Sequence, residues 1–182
     1  MTLGDMKSEV LRLIEEINEE NEENEGLTDD PDFKNKINNV IDFIQHELAR
    51  IKKIPAIETR EVKEGDTINL NELENFYQLK CVKGVRYTSF GTTLDILDDG
   101  TIKIYYYKYP KKINEKSKDN TELELTDDAL GIMPYGVAAD LLKSDVSNQY
   151  GQIYANRYTE LKQSLDPRYN TGGFYIDGGT KI

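Results

Sequence analysis

The stretch ALGIMPYGVAADLLKSDVSNQYGQIYANRYTELKQSLDPR, Ala129 to Arg168, decides the fold. Val137, Ala138, Leu141 and Leu142 mark one helical stripe. Tyr150, Ile153, Tyr154, Tyr158, Leu161 and Leu165 continue it at three- and four-residue spacing. The pattern predicts a small-residue opening followed by one long amphipathic helix. About 30 helical residues would span on the order of 45 Å. Small, aromatic and charged residues mix along the seam, as on a face that meets another protein. No catalytic signature accompanies them, so the stretch points to assembly rather than chemistry.

Upstream, Leu3 to Glu20 carries Met6, Val10, Leu13, Ile14 and Ile17 on one helical face with acids opposite. The run NEENEENEG, Asn18 to Gly26, follows; its like charges repel and fray the helix, leaving a solvated connector. A second helix starts at Asp30–Pro31, because Asp caps free amides and Pro suits the first helical position. Phe33, Ile37, Val40, Ile41, Ile44, Leu48 and Ile51 form its stripe, and Ile54–Pro55 ends it. The two helices are expected to pack as a hairpin, with the long C-terminal helix as a third wall.

From Ala56 to Leu125 the period changes to two. Ile68 and Leu70 predict one strand, and Tyr77, Leu79 and Cys81 another. Leu94–Leu97, the turn Asp98-Asp99-Gly100 and Thr101–Tyr107 read as a hairpin. Ile102, Ile104 and Tyr106 would face one way, with Thr101, Lys103, Tyr105 and Tyr107 facing the other. Lys111 to Asn120 reads as a polar loop and Thr121 to Leu125 as a short return strand, with Thr126-Asp127-Asp128 capping the final helical region. The expected class is α+β: a helical bundle of two N-terminal helices plus the long C-terminal helix, with an inserted antiparallel β subdomain and an extended C-terminal tail. The divisions are 1–57, 58–126, 127–166 and a Gly-rich arm, 167–182, carrying Phe174, Tyr175 and Ile176.

At 182 residues the chain is long enough to bury a core, but 31% of it is charged and 37% hydrophobic, with a net charge of −11. That balance disfavours free phosphate-backbone binding, which needs clustered Lys and Arg. Cys81 stands alone, so it forms no intrachain disulfide and reads as a buried structural thiol. No run approaches the length of a membrane span, and no signal-peptide pattern appears. His46 is the single histidine and reads as a boundary residue of the second helix. No glycine pattern cradles phosphate. Asp95, Asp98 and Asp99 lack calcium-loop spacing and are explained by a turn. No pair among the 34 acids is singled out for glycosidase chemistry. Neither metal nor cofactor is expected, and the chain reads as non-enzymatic. Tyr105-Tyr106-Tyr107 and Tyr109, with Lys103, Lys108, Lys111 and Lys112, form one basic-aromatic patch. It fits either single-stranded nucleic acid or, preferred here, an edge strand or protein interface protected by lysines.

LTDDPDFKNKINNVIDFIQHELARIKKIP (Leu27 to Pro55), the inserted β region and AADLLKSDVSNQYGQIYANRYTELKQSLDPR (Ala138 to Arg168) resemble the head–tail connector proteins (adaptor or head-completion proteins) of tailed bacteriophages. The resemblance lies in helix layout, the small-residue opening and the Tyr/Arg-rich final helix. The β insertion is larger than in the minimal helical adaptor. The resemblance implies a structural virion protein, in a family whose rings, generally dodecameric, sit beneath the portal. Such a ring extends the DNA channel, lets DNA pass without sequence-specific binding and docks the next connector or tail protein. The protein would be made in the bacterial host cytoplasm and reside at the head–tail interface of the virion, away from membrane. Ring contacts are heterologous and need two unlike patches. Tyr150, Tyr154, Arg157 and Tyr158, with Phe174, Tyr175 and Ile176, are the expected subunit or portal interface; the same tyrosines also suit a bundle core. Lys103, Tyr105, Tyr107 and Tyr109 are the expected downstream interface. The competing readings are another connector or tail-completion protein, and a β-module binder of carbohydrate or nucleic acid.

Overall fold

Thr2 and Asp5 open the first helix with a reciprocal cap. The Asp5 amide donates to Thr2 Oγ1 at 3.2 Å, and the Thr2 amide donates to Asp5 Oδ2 at 2.9 Å. Those bonds hold the Asp5 carboxyl below its ordinary value. The computed structural model describes residues 1–18, 31–143 and 149–165. Helix α1 (Leu3–Asn18) buries Leu3, Met6, Val10 and Ile14, and α2 (Pro31–Ile51) buries Ile37, Ile41, Ile44 and Leu48. Both faces follow the sequence period. The acids after Asn18, the expected cap Asp30 and the arm 167–182 lie outside the described residues.

A second face of α2 is polar, and its use is structural. Asn38 Nδ2 donates to Asn114 O at 3.0 Å, and Gln45 Nε2 donates to Lys111 O at 2.8 Å. Asp42 Oδ1 accepts from the Ile113 amide at 2.7 Å. Three side chains at helical spacing thus hold the loop after the sheet and seat Ile113, 2% exposed, in the bundle core.

The single C-terminal helix expected from the stripe is instead two helices, α3 (Asp127–Leu142) and α4 (Gln149–Ser164). Each has 16 residues, or roughly 24 Å, well short of the 45 Å stave. Leu142 lies beside Gly151 and Gly136 beside Tyr158, so the pair runs antiparallel. In sequence, Ser144, Asp145, Ser147 and Asn148 stand between the two helices, and Ser, Asp and Asn are residue types of low helical preference. Helix α3 is apolar around most of its girth, burying Ala129, Leu130, Ile132, Met133, Val137 and Ala138, as a helix enclosed by neighbours must be. It packs against α1, α2 and α4, whereas α1 and α2 meet each other less closely than either meets α3. The expected α1–α2 hairpin is therefore replaced by two helices flanking α3.

Six strands form the β module: β1 (Ile54–Val62), β2 (Thr67–Asn69), β3 (Phe76–Lys83), β4 (Tyr87–Phe90), β5 (Thr93–Ile96) and β6 (Gly100–Lys108). They make two antiparallel sheets, ordered β1-β6-β3 and β2-β5-β4. Val62, Ile68, Leu94, Ile96, Ile102, Ile104 and Tyr106 close a core between them, separate from that of the helices. Ile102, Ile104 and Tyr106 do share the inward face of β6. The hairpin expected between β5 and β6 does not form, because those strands belong to different sheets. Asp98 and Asp99 explain the crossing. Asp98 takes both Arg86 Nε (2.7 Å) and Nη2 (2.6 Å), while Asp99 Oδ1 accepts the Glu64 amide at 2.7 Å. The expected return strand at Thr121–Leu125 reduces to one bridge, Thr2 to Glu122. Gly84 has φ +115, and a Cβ there would lie 2.0 Å from Thr101 O, so only glycine fits.

Candidate functional site

The small residues of α3 and α4 set the geometry of one surface. A Cβ on Gly136 would lie 2.8 Å from a Tyr158 ring carbon, so the ring packs where a side chain is missing. The Tyr158 hydroxyl donates to Glu47 Oε2 at 2.9 Å. Lys162 Nζ donates to Glu47 Oε1 at 2.8 Å and stands 4.9 Å from the Tyr158 ring centroid. Burial, the hydrogen bond and the Glu47 charge all push the Tyr158 hydroxyl up, keeping it a donor. This strap ties α4 to α2. Beside it lies a groove of about 600 Å³ whose walls include Gly136, Ala139, Gly151 and Ala155, with Phe43 of α2, 64% exposed, along it.

The expected subunit interface divides accordingly. Tyr158 is 7% exposed and belongs to the bundle core. Tyr154 donates its hydroxyl to Leu13 O at 2.8 Å and faces Tyr135 across 6.2 Å, and Tyr150 is half-buried against the same core. Arg157 is exposed and pairs with Glu160 at 3.6 Å. Of these four, Arg157 is the one whose side chain is mostly exposed; the tyrosines join helices. Phe174, Tyr175 and Ile176 lie outside the described residues.

The second surface is the outer face of the β1-β6-β3 sheet. Strand β6 is central, so its lysines do not guard an edge as the sequence pattern suggested. Register places Ile57, Tyr105 and Cys81 in one row, and Thr59, Lys103 and Lys83 in the next. Lys103 is exposed and Tyr105 half-buried, while Tyr107 is 5% exposed. Tyr109 sits apart, 5.6 Å from the His46 ring and 4.6 Å from Tyr77, at the seam between α2 and β3. Sequence reasoning missed Lys53, Lys80 and Lys83. The last two sit three residues apart across a bulge between Leu79 and Cys81, which breaks the period-two signal. Cys81 is half-buried rather than enclosed.

The acids considered for calcium are each engaged separately: Asp95 accepts from Thr67 Oγ1 at 3.0 Å, and Asp98 and Asp99 hold Arg86 and the Glu64 amide. Among the described residues no helix is long and apolar enough to cross a membrane. Comparison of the sequence with protein-family models and with curated proteins finds no match to either.

Proposed function

We propose that this chain is a structural virion protein, a head–tail adaptor that docks between a portal and the next connector or tail component. The observation that carries the reading is the presence of two unlike surfaces on one chain. One is the Phe43 groove among α2, α3 and α4, and the other is the lysine-bearing outer face of the β1-β6-β3 sheet. Heterologous ring contacts and stacked layers both require unlike patches on each subunit. The acidic balance, which would keep a channel wall from gripping DNA, agrees with this role. The single long C-terminal helix on which the family resemblance partly rested is, by contrast, divided into α3 and α4. Arg157 and Phe43 take over from the tyrosines of α4 as interface candidates, because the tyrosines are used within the subunit. The mechanism is docking without covalent chemistry.

Deleting the gene from its parent element, inducing particles and imaging them by electron microscopy tests the reading. DNA-filled or leaky heads separated from finished tails are expected. Intact joined particles would overturn it and leave a binding module acting through its β face as the better account.

A further inference from the structure

Four lysines converge on the outer face of the β1-β6-β3 sheet. Lys53 and Lys80 stand 5.2 and 6.0 Å from the Tyr107 ring centroid, and Lys83 stands 5.5 Å from that of Tyr105. Lys103 is the register partner of Lys83 on the central strand. Among the described residues none of the four forms an ion pair, whereas Lys7, Lys52, Lys108 and Lys162 each meet a carboxylate at 2.8 Å. In a chain of net charge −11 this face thus carries four cations outside any ion pair. The acid that register places on it is Glu61, opposite Thr101 one row beyond Lys103, where its carboxylate accepts the Thr101 hydroxyl at 2.6 Å. At physiological salt a partner within about 8 Å of the face responds to these lysines more than to the distant acids. In the row beside Lys103 and Lys83, Ile57 is 61% exposed, so the face offers an apolar contact among its cations.

We propose that this face docks an acidic polypeptide segment carrying aspartate or glutamate beside an apolar side chain. It deepens the docking role proposed above, and rests on that reading only for where the partner sits in the particle. Charge complementarity selects the carboxylates, and Ile57 selects the apolar neighbour. Base stacking, which single-stranded nucleic acid needs, requires an open aromatic face. Here lysine ammoniums already stand over both rings, and Tyr107 is 5% exposed.

The test uses the full chain and fluorescence anisotropy with three labelled probes: a short glutamate–leucine peptide, a lysine–leucine peptide and an oligothymidylate of the same length. The acidic peptide is expected to bind, to weaken as salt rises, and to lose affinity roughly tenfold or more against the Lys83→Glu/Lys103→Glu variant, where two attractions become repulsions. Circular dichroism on that variant should match the parent, since both side chains leave the fold's cores untouched. Tighter binding of the oligothymidylate would overturn the proposal in favour of a nucleic-acid face. No binding of the acidic peptide, equal binding of both peptides, or indifference to the double substitution would also overturn it. Because the isolated chain is measured, failure here is separable from failure of the adaptor reading, which particle morphology decides.

Discussion

Two glycines of α3 respond to alanine with opposite sign. Gly131 faces open space, with nothing within 4 Å of an added Cβ. Alanine there restricts the unfolded chain and suits a helix interior, so Gly131→Ala should stabilise by about 0.5–1 kcal/mol. Gly136→Ala gains the same helical preference but drives a methyl to within 2.8–3.0 Å of three Tyr158 ring atoms. The ring cannot swing away cheaply, since its hydroxyl is held by Glu47 and its face by Lys162. Overpacking of this kind costs about 1–3 kcal/mol, which outweighs the helical gain. Net destabilisation of about 1–2 kcal/mol should follow, separating the variants by about 1.5–3 kcal/mol. In a chain of this size that is on the order of 5 °C in Tm. Urea titration followed by circular dichroism reads the difference. In a Tyr158→Leu background the Gly136→Ala penalty should shrink, since the ring it strikes is gone. If both alanine variants move stability in the same direction, the argument that Gly136 exists to admit Tyr158 is wrong.

Asp128 offers a pH test. The Lys52 ammonium first, then the Thr126 hydroxyl and Ala129 amide, draw its carboxyl from 3.8 down to about 2. A depressed carboxyl contributes stability that is full above its unfolded value and lost as pH falls through its folded value. Wild type should therefore lose more stability than Asp128→Asn between about pH 4 and pH 2. Parallel urea midpoints across that window would refute the assignment. Ile113→Ala should cost about 2–4 kcal/mol, the range for emptying a buried aliphatic site, despite its place in a loop. A cost within about 0.5 kcal/mol, typical of surface positions, would mean the loop is not anchored as described.

The faces of α1 and α2 were legible because a helix buried on one side keeps its period: Met6, Val10 and Ile14, then Ile37, Ile41, Ile44 and Leu48. α3 was obscure for the opposite reason. Enclosed on several sides, it has apolar residues at most positions and no period to separate it from α4. Strand β1 was hidden by composition, since Glu58, Thr59, Arg60 and Glu61 look like a loop. An edge strand tolerates such residues, and Pro55 as well, because one side of its backbone is unpaired. Alternation on β6 places Ile102, Ile104 and Tyr106 inward, as the sequence implies, but alternation does not name a partner. Leu94 and Ile96 meet Ile102 and Ile104 across a shared core instead of along a hairpin. For the docking face, Tyr105 and Lys103 were visible on one strand. The convergence of Lys53, Lys80 and Lys83 depends on a bulge and on a helix end, which no local pattern encodes.

The join between the two cores bears on how docking at one surface reaches the other. Only Lys52 and Lys53 separate α2 from β1, and they reach in different directions. Lys52 bonds Asp128 in the first turn of α3 at 2.8 Å, and Lys53 bonds Gln78 on β3 at 2.7 Å. Lys108, at the end of β6, meets Glu124 at 2.8 Å, and the other oxygen of that carboxylate accepts the Lys111 amide at 2.9 Å. The polar face of α2 then grips residues 111–114. The bundle and the sandwich are thus braced on both sides of the strand that enters and the strand that leaves, not joined by a free linker. Lys53 belongs to the brace and to the lysine face at once. A carboxylate docking there competes with Gln78 for one ammonium, so the binding surface and the joint share a residue. Any energetic link between a partner on the sheet and the packing of α2 has its shortest route through that side chain.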